Sequence, residues 1–371
     1  MRRLSQCFLV ACILTDCIWA YVATRQFLQT HVMKTFLTSS RWSEYAEFNR
    51  NNIESLRTCG EVDGYNLDSP REWLEYQEKI GNNGVYTVVR CEIASSLSTY
   101  HLWEEEYHWE RLCHSMHSIS NLRFIDQPFD DSIRKSKVLL RNLLNSYLSS
   151  LVSMEIEKFN SRCTCMFTVL WHIQPQGCGV KVHLCTMGFS DKNDKVYQQG
   201  ITAILVNPAT SNQPNRHEYL PLSKLSSWCR VRRPIESRLK LQPGEEAFLT
   251  RMADESNMEI LEGLTSNIFV TYQNGTFRTP ADGILEGCAR NQVLRLANFL
   301  GYKVETAPIV FHDIQDWQEV FCTSAIRLLV PVKVILSESR SVVWESKAST
   351  SNWLELYTNL LNNSLISTYD T

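Results

Sequence analysis

Residues 260–280 read ILEGLTSNIFVTYQNGTFRTP, residues 283–305 read GILEGCARNQVLRLANFLGYKVE, and residues 318–332 read QEVFCTSAIRLLVPV. The first stretch holds two short apolar runs, Ile260–Leu261 and Ile268–Tyr272, which alternate with turn residues as strands do. Asn274-Gly275 follows as a hairpin-turn dipeptide, because both residues tolerate the positive φ such turns require. In the second stretch Val293, Leu294, Leu296, Ala297 and Leu300 share one side at helical spacing, predicting a helix over 289–300 with Gly301 as its cap. Val320–Thr323 and Leu328–Ile335 are again strand-like. Strands and a helix interleaved in one block predict a mixed α/β protein.

The same pattern extends toward the amino terminus. Pro70 opens a predicted helix over 71–80, since a proline at the first turn loses no hydrogen bond. Val85–Val89 reads as a strand, 102–119 as a helix with Trp103, Tyr107, Leu112, Met116 and Ile119 near helical spacing, and 133–156 as another helix. Strands are predicted at 165–170, 180–187 and 199–206. Residues 208–216 (PATSNQPNR) are polar with two prolines and make the best linker. A helix over 223–238, a strand over 247–250 and a turn at 254–257 follow. The predicted organisation is an extension over 1–69, a smaller α/β domain over 70–207, a linker at 208–219, and a larger α/β domain over 220–371.

Length and composition agree with two domains: 371 residues exceed one ordinary core, and 44% hydrophobic with 21% charged residues is near the globular average. A net charge of −3 offers no basic footprint for nucleic acid. The thirteen cysteines are odd in number and spread without a disulfide framework, which favours reduced, buried thiols. Cys163-x-Cys165 and His114-x-x-His117 lack a second ligand pair at zinc spacing, so no metal is expected. Arg2 and Arg3 precede the apolar runs 7–14 and 17–23, which Asp16 interrupts before they reach spanning length. This start suits a secretory signal, and the acid-free stretch 24–41 suits an organellar transit segment equally well. No other segment approaches membrane-spanning length. Asn274-Gly-Thr and Asn362-Asn-Ser match a glycosylation triplet that arises easily by chance.

The stretch 260–332 resembles the diagnostic region of the class IV aminotransferases, the family of branched-chain and D-amino-acid aminotransferases and aminodeoxychorismate lyase. Glu-Gly-x-x-x-Asn, Gly-x-x-Arg at a helix start and a strand ending in Thr/Ser-rich sequence appear in the family's order. GVYTVVR (84–90) and HWERL (108–112) resemble its amino-terminal motifs, so the likeness covers roughly residues 73–335. It implies a two-domain, D-amino-acid aminotransferase-like fold, pyridoxal 5'-phosphate (PLP) as cofactor, amino-acid and 2-oxo-acid substrates, and a homodimer.

The chemistry of that family needs a carboxylate at the pyridine nitrogen, an anchor for the phosphate, and a lysine that forms an imine with the aldehyde. The resemblance implies Glu262 for the carboxylate, against a plain strand-end glutamate, and Asn267 beside it, against a turn-stabilising amide. Arg111 is implied for the phosphate, against a solvated arginine on a helix rich in Glu104, Glu105, Glu106 and Glu110. Gly287, Cys288 and Ala289 would supply backbone N–H groups at a helix start. Ser324 and Ala325 would sit at the phosphate too, and Tyr86 matches an aromatic near the cofactor, against a buried strand tyrosine. The family often has Ile-Thr at Cys288-Ala289 and a further hydroxyl near Ser324. Two hydrogen bonds fewer, at about 1 kcal/mol each, would weaken cofactor binding by about thirtyfold.

The lysine is the departure. The family places it some thirty residues before the glutamate, and no lysine lies in 228–239. Lys224 stands 38 residues before Glu262 and Lys240 only 22. A hairpin over 251–258 several residues longer than a tight turn accounts for the excess, and turn insertions are tolerated. Lys224 is therefore the expected imine lysine, at a strand-to-helix position, against a surface lysine. The expected function is a PLP-dependent aminotransferase. The alternatives are a lyase of the aminodeoxychorismate type and a non-catalytic relative that keeps the fold.

Overall fold

The structure is a computed structural model that describes residues 44–49, 52–58, 61–62, 65–66, 84–93, 100–121, 137–138, 163–173, 180–188, 200–208, 223–254, 257–346, 356 and 358–359. The predicted targeting stretch up to residue 43, the helix over 71–80, nearly all of the helix over 133–156, the linker beyond residue 208 and the triplet at Asn362 lie outside those residues. Among the described residues no helix is long and apolar enough to cross a membrane.

The first sheet is antiparallel, in the order β2-β1-β8-β7-β5-β6. It comprises β1 (Glu44–Asn49), β2 (Asn52–Thr58), β5 (Gly84–Ile93), β6 (Tyr100–Leu102), β7 (Cys163–Ile173) and β8 (Val180–Gly188). β3 (Glu61–Val62) and β4 (Tyr65–Asn66) form a separate two-stranded ribbon. Residues 44–49 and 52–58, expected in the amino-terminal extension, thus belong to this sheet through the pairings of β1 with β8 and with β2. Helix α1 (Glu105–Asn121) packs on β5. It starts later than the expected residue 102 because 100–102 pair with β5 and Glu104 takes a φ of 53°. His108, Trp109, Leu112, Ser115, Met116 and Ile119 are buried along one stripe of α1, at the 3–4 residue spacing of an amphipathic helix.

The second sheet contains β9 (Ile201–Val206), β10 (Glu245–Met252), β11 (Met258–Gly263), β12 (Asn267–Tyr272), β13 (Phe277–Thr279), β14 (Val304–Thr306), β15 (Ile309–Val310), β16 (Trp317–Ser324), β17 (Leu328–Leu336) and β18 (Val342–Glu345). β9 lies at its centre, parallel to β10 and to β17. The boundary expected at 207 is therefore misplaced, since ITAILV at 201–206 joins the carboxy-terminal strands. An apolar run of that kind can enter either sheet, and only pairing decides which. The path β12-β16-β17-β9-β10-β11 returns to β12 through the pair Glu262–Asn267, so these six strands close on themselves.

Closure buries both faces of these strands, and every residue of β12 is buried. Phe248, Ile260, Ile268, Val270, Val320, Val330 and Val332 fill one side. Helix α2 (Trp228–Leu239) packs Ile235 and Leu239 on Ala247 and Leu249, and helix α3 (Cys288–Phe299) packs Val293 and Leu296 against Phe269, Phe277 and Phe321. Phe269 and Phe321 stack at 5.0 Å, worth about 1 kcal/mol beyond their buried area. Trp103 of the first body enters the same cluster. The hairpin at Asn274-Gly275 differs from expectation: only Gly275 has positive φ (79°), because the loop spans three residues, closed by the N–H of Tyr272 donating to the Thr276 carbonyl at 2.9 Å. Gly301, with φ of 81°, follows α3 where a cap was expected.

Candidate active site

The two bodies meet where residues 223–226 lie along the edge of β5. The N–H of Tyr86 donates to the Lys224 carbonyl at 3.0 Å, the N–H of Ser226 donates to the Gly84 carbonyl at 2.9 Å, and Val85 bridges Leu225. The Lys224 N–H donates to Ser115 Oγ on α1 at 3.0 Å. These bonds keep 223–227 out of the helix expected from 223, so α2 begins at Trp228.

Lys224 is partly exposed, with Nζ 5.0 Å from the centre of the Tyr86 ring. Burial and the nearby positive charge of Arg111 push its amine down to about 7, against the weaker opposing pull of Cys288 and Glu262. Burial raises the Tyr86 phenol well above its ordinary value, so it stays protonated.

Arg111 stands on α1 with Nη2 donating to Thr87 Oγ1 at 2.9 Å and Nη1 reaching the Glu286 carbonyl only at 3.5 Å. Its Nε is buried and has no hydrogen-bond partner. A buried donor left in that state costs roughly 1–3 kcal/mol, and Nη1, with its long contact, is the nitrogen an anion can reach. The start of α3 offers donors as well: Gly287 is its N-cap, with no side-chain cap and no acid in the first turn. The side chains of Cys288 and Ala289 are buried in the core, so these two positions can contribute to a site through their N–H groups alone. Arg290 points away, holding Thr279 Oγ1 and the Pro280 carbonyl.

Glu262 and Asn267 form the closing pair of the barrel, each 5% exposed. Glu262 Oε2 accepts from the Leu285 N–H at 3.0 Å and from Asn267 Nδ2 at 3.3 Å. Asn267 Nδ2 also donates to the Leu285 carbonyl at 2.6 Å, and a Cβ on Gly287 would collide with Asn267 Oδ1. The carboxylate and the helix start are thus built as one unit.

Ser324 ends β16 and Ala325 follows it. The Ser324 hydroxyl accepts from the Arg327 N–H at 3.1 Å, closing its own turn, and Arg90 Nη1 of β5 donates to the Ile326 carbonyl at 2.5 Å. Ala325 packs against the cluster that contains Cys288.

Several residues escaped sequence reasoning. Glu246, 4% exposed, accepts from Thr265 N–H and Oγ1 (3.1 Å each), from Ser266 Oγ at 2.7 Å and from Arg327 at 2.6 Å. Burial alone would raise its carboxyl, but Arg327 and these hydrogen bonds hold it below the ordinary range. The network ties the Glu262–Asn267 turn to the Ser324 turn, and a Cβ on Gly263 would strike Ser266 and Glu246. Gly263 was the only sequence signal of this crowding. Thr87 and His108 were quoted within motifs without a role. Among the described residues there is no group of three or more side chains able to hold a metal ion.

A family model described as amino-transferase class IV matches residues 84–335. A putative branched-chain-amino-acid aminotransferase of Methanocaldococcus jannaschii is 36% identical over 90 residues, 24% of this chain and 30% of that protein. The chloroplastic branched-chain-amino-acid aminotransferase 2 of Arabidopsis thaliana is 32% identical over 87 residues, 23% of this chain and 22% of that protein. The chain thus matches less than a third of the length of either relative. A fold IV transaminase from Curtobacterium pusillum superimposes with a TM-score of 0.59 at 17% identity, covering 86% of this chain and 99% of that one.

Proposed function

This chain belongs to the class IV aminotransferases, and on that premise we propose that it is a PLP-dependent aminotransferase passing an amino group from an amino acid to a 2-oxo acid. The observation that carries the reading is the Lys224 amine, held at about 7 beside Tyr86 and under the field of Arg111.

The residues present fit the coenzyme. Arg111, whose Nη1 makes only a long contact to the Glu286 carbonyl, and the uncapped start of α3 at Gly287, Cys288 and Ala289 suit a phosphate. The turn at Ser324 and Ala325, which follows β16 next to the Cys288 cluster, is taken as a further part of the phosphate site. Glu262, steadied by Asn267 and the Leu285 N–H, suits a protonated ring nitrogen. When bound, PLP supplies an electron sink for charge developing at the substrate's α-carbon.

The protein's own groups supply positioning and proton transfer. An amine with a pKa near 7 is substantially neutral at neutral pH, so Lys224 Nζ is able both to attack a carbonyl carbon and to hold an α-proton. Its backbone is anchored on β5, so the side chain works from a rigid base. The Tyr86 ring flanks the amine, 5.0 Å from Nζ to the ring centre.

The test is reductive trapping. Borohydride treatment in the presence of PLP should add the coenzyme's mass to the peptide containing Lys224, and Lys224→Ala should abolish the label and the transfer of amino groups between amino acid and 2-oxo acid. A label on another lysine would move the assignment, and no label at saturating coenzyme would remove the reading. The same reading takes the chain as a homodimer, for which a monomer mass at micromolar concentration is the adverse result. It also takes residues 1–69 as carrying an organellar or secretory targeting segment, to be checked by fusing them to a fluorescent reporter.

A further inference from the structure

We propose that Thr87 and His108 are positioning residues for Arg111, joined in a directed hydrogen-bond chain that ends on Cys288 at the start of α3. The inference rests on the reading that this site holds a phosphate.

The direction of the chain follows from what each group can donate. Arg111 can only donate; its Nη2 lies 2.9 Å from Thr87 Oγ1 and 3.3 Å from His108 Nδ1. A proton on Nδ1 would face that donor-only guanidinium, so Nδ1 is the acceptor. The Thr87 hydroxyl, having accepted from Arg111, donates its own O–H to Nδ1 at 2.7 Å. The ring proton therefore sits on Nε2, which lies 3.5 Å from Cys288 Sγ. Thr87 and His108 are fully buried, so no water can stand in for either partner.

The charge state of the ring agrees with this. Burial, then the positive charges of Arg111 and Lys224, hold the imidazole well below its usual range, and it stays neutral. A neutral ring offers the lone pair the chain needs without repelling the arginine. With Nη2 tied back on β5 and α1, Nη1, which reaches the Glu286 carbonyl only at 3.5 Å, is the donor that an anion can take over. The far end of the chain rests on the helix whose N–H groups face the same site, which couples the two halves of the anion cradle.

The experiment compares dissociation constants of PLP and of unphosphorylated pyridoxal for the full chain and four variants. His108→Leu and Thr87→Val should weaken PLP binding about tenfold, the loss of one charge-assisted bond, and leave pyridoxal unchanged. His108→Asn, whose Oδ1 replaces the acceptor at Nδ1, and Thr87→Ser should retain the preference for the phosphate within about twofold. Equal weakening of both ligands, or an intact phosphate preference in His108→Leu and Thr87→Val, would overturn the proposal. Nitrogen-15 NMR of the wild-type imidazole, assigned through the His108→Asn spectrum, gives a reading independent of coenzyme: Nε2 protonated is expected, and Nδ1 protonated would also overturn it. If the wild type binds neither ligand, the coenzyme reading fails while the NMR result still decides the chain.

Discussion

The main chain of Lys224 is hydrogen-bonded to that of Tyr86, 3.0 Å from carbonyl to N–H, while its Nζ lies 5.0 Å from the centre of the Tyr86 ring. One residue pair thus fixes the lysine twice, at its root and at its tip. A side chain with four rotatable bonds loses much of its freedom in such a setting, and its charged form loses hydration.

That loss of hydration predicts a pH dependence of stability in the coenzyme-free protein. The folded amine titrates at about 7 and an unfolded lysine at about 10.4. Between those values the unfolded chain binds more protons, so this group's contribution to stability is complete above about pH 10.4 and is lost as pH falls toward 7. Lys224→Met should raise the urea midpoint at pH 7 and lose roughly two-thirds of that advantage by pH 9.5. Parallel midpoints for wild type and variant across this range would contradict the depressed amine.

Gly287→Ala should cost about 1–3 kcal/mol, because the added methyl collides with Asn267 Oδ1 at a spot where the amide is already held by Glu262 and Leu285. The backbone there has φ −81°, so the cost is crowding and not strain. Thermal melting measures it, and an Asn267→Ala background should recover most of the loss. No recovery would place the clash elsewhere.

Arg327→Met should destabilise by about 3–5 kcal/mol, since it leaves the buried Glu246 carboxylate without that cation, and Glu246→Gln should cost less because Arg327 keeps partial contact with solvent. The double variant should cost less than the two single effects combined. Simple additivity in a double-mutant cycle would show that the 2.6 Å contact carries little coupling.

Glu262→Gln keeps the hydrogen bond from the Leu285 N–H and removes the charge. It should lower kcat for amino-group transfer about 10–100-fold, matching roughly 1.4–2.7 kcal/mol of lost charge stabilisation. Stopped-flow assays of a half-reaction would register it, and an unchanged kcat would place the ring's proton under another group's control.

Much of this could be read along the chain. Ile268–Tyr272, Val320–Thr323 and 289–300 declare strand, strand and helix because periodicity reports which face of an element is buried. Glu262 and Asn267 were picked out by the resemblance to a family motif, and the hairpin between β11 and β12 turns them into a direct pair. Lys224 emerged only after allowing for the long turn at 251–258. Thr87, His108, Glu246 and Arg327 were silent, because their roles depend on partners 21, 20 and 81 residues away.

By itself, then, the amino-acid order determined the kinds of local element and the order of the family motifs, and it pointed to the acid and the amine proposed for the two ends of the site. Only the folded chain decided that 201–206 pairs with the carboxy-terminal strands, that six strands close at Glu262–Asn267, and that β5 holds the lysine next to Tyr86 while α1 brings Arg111 to the same place. The physical reason is range. Backbone preference and burial pattern act over a few residues, whereas strand pairing, desolvation and the field on an ionisable group are set by whatever distant segment comes to lie alongside.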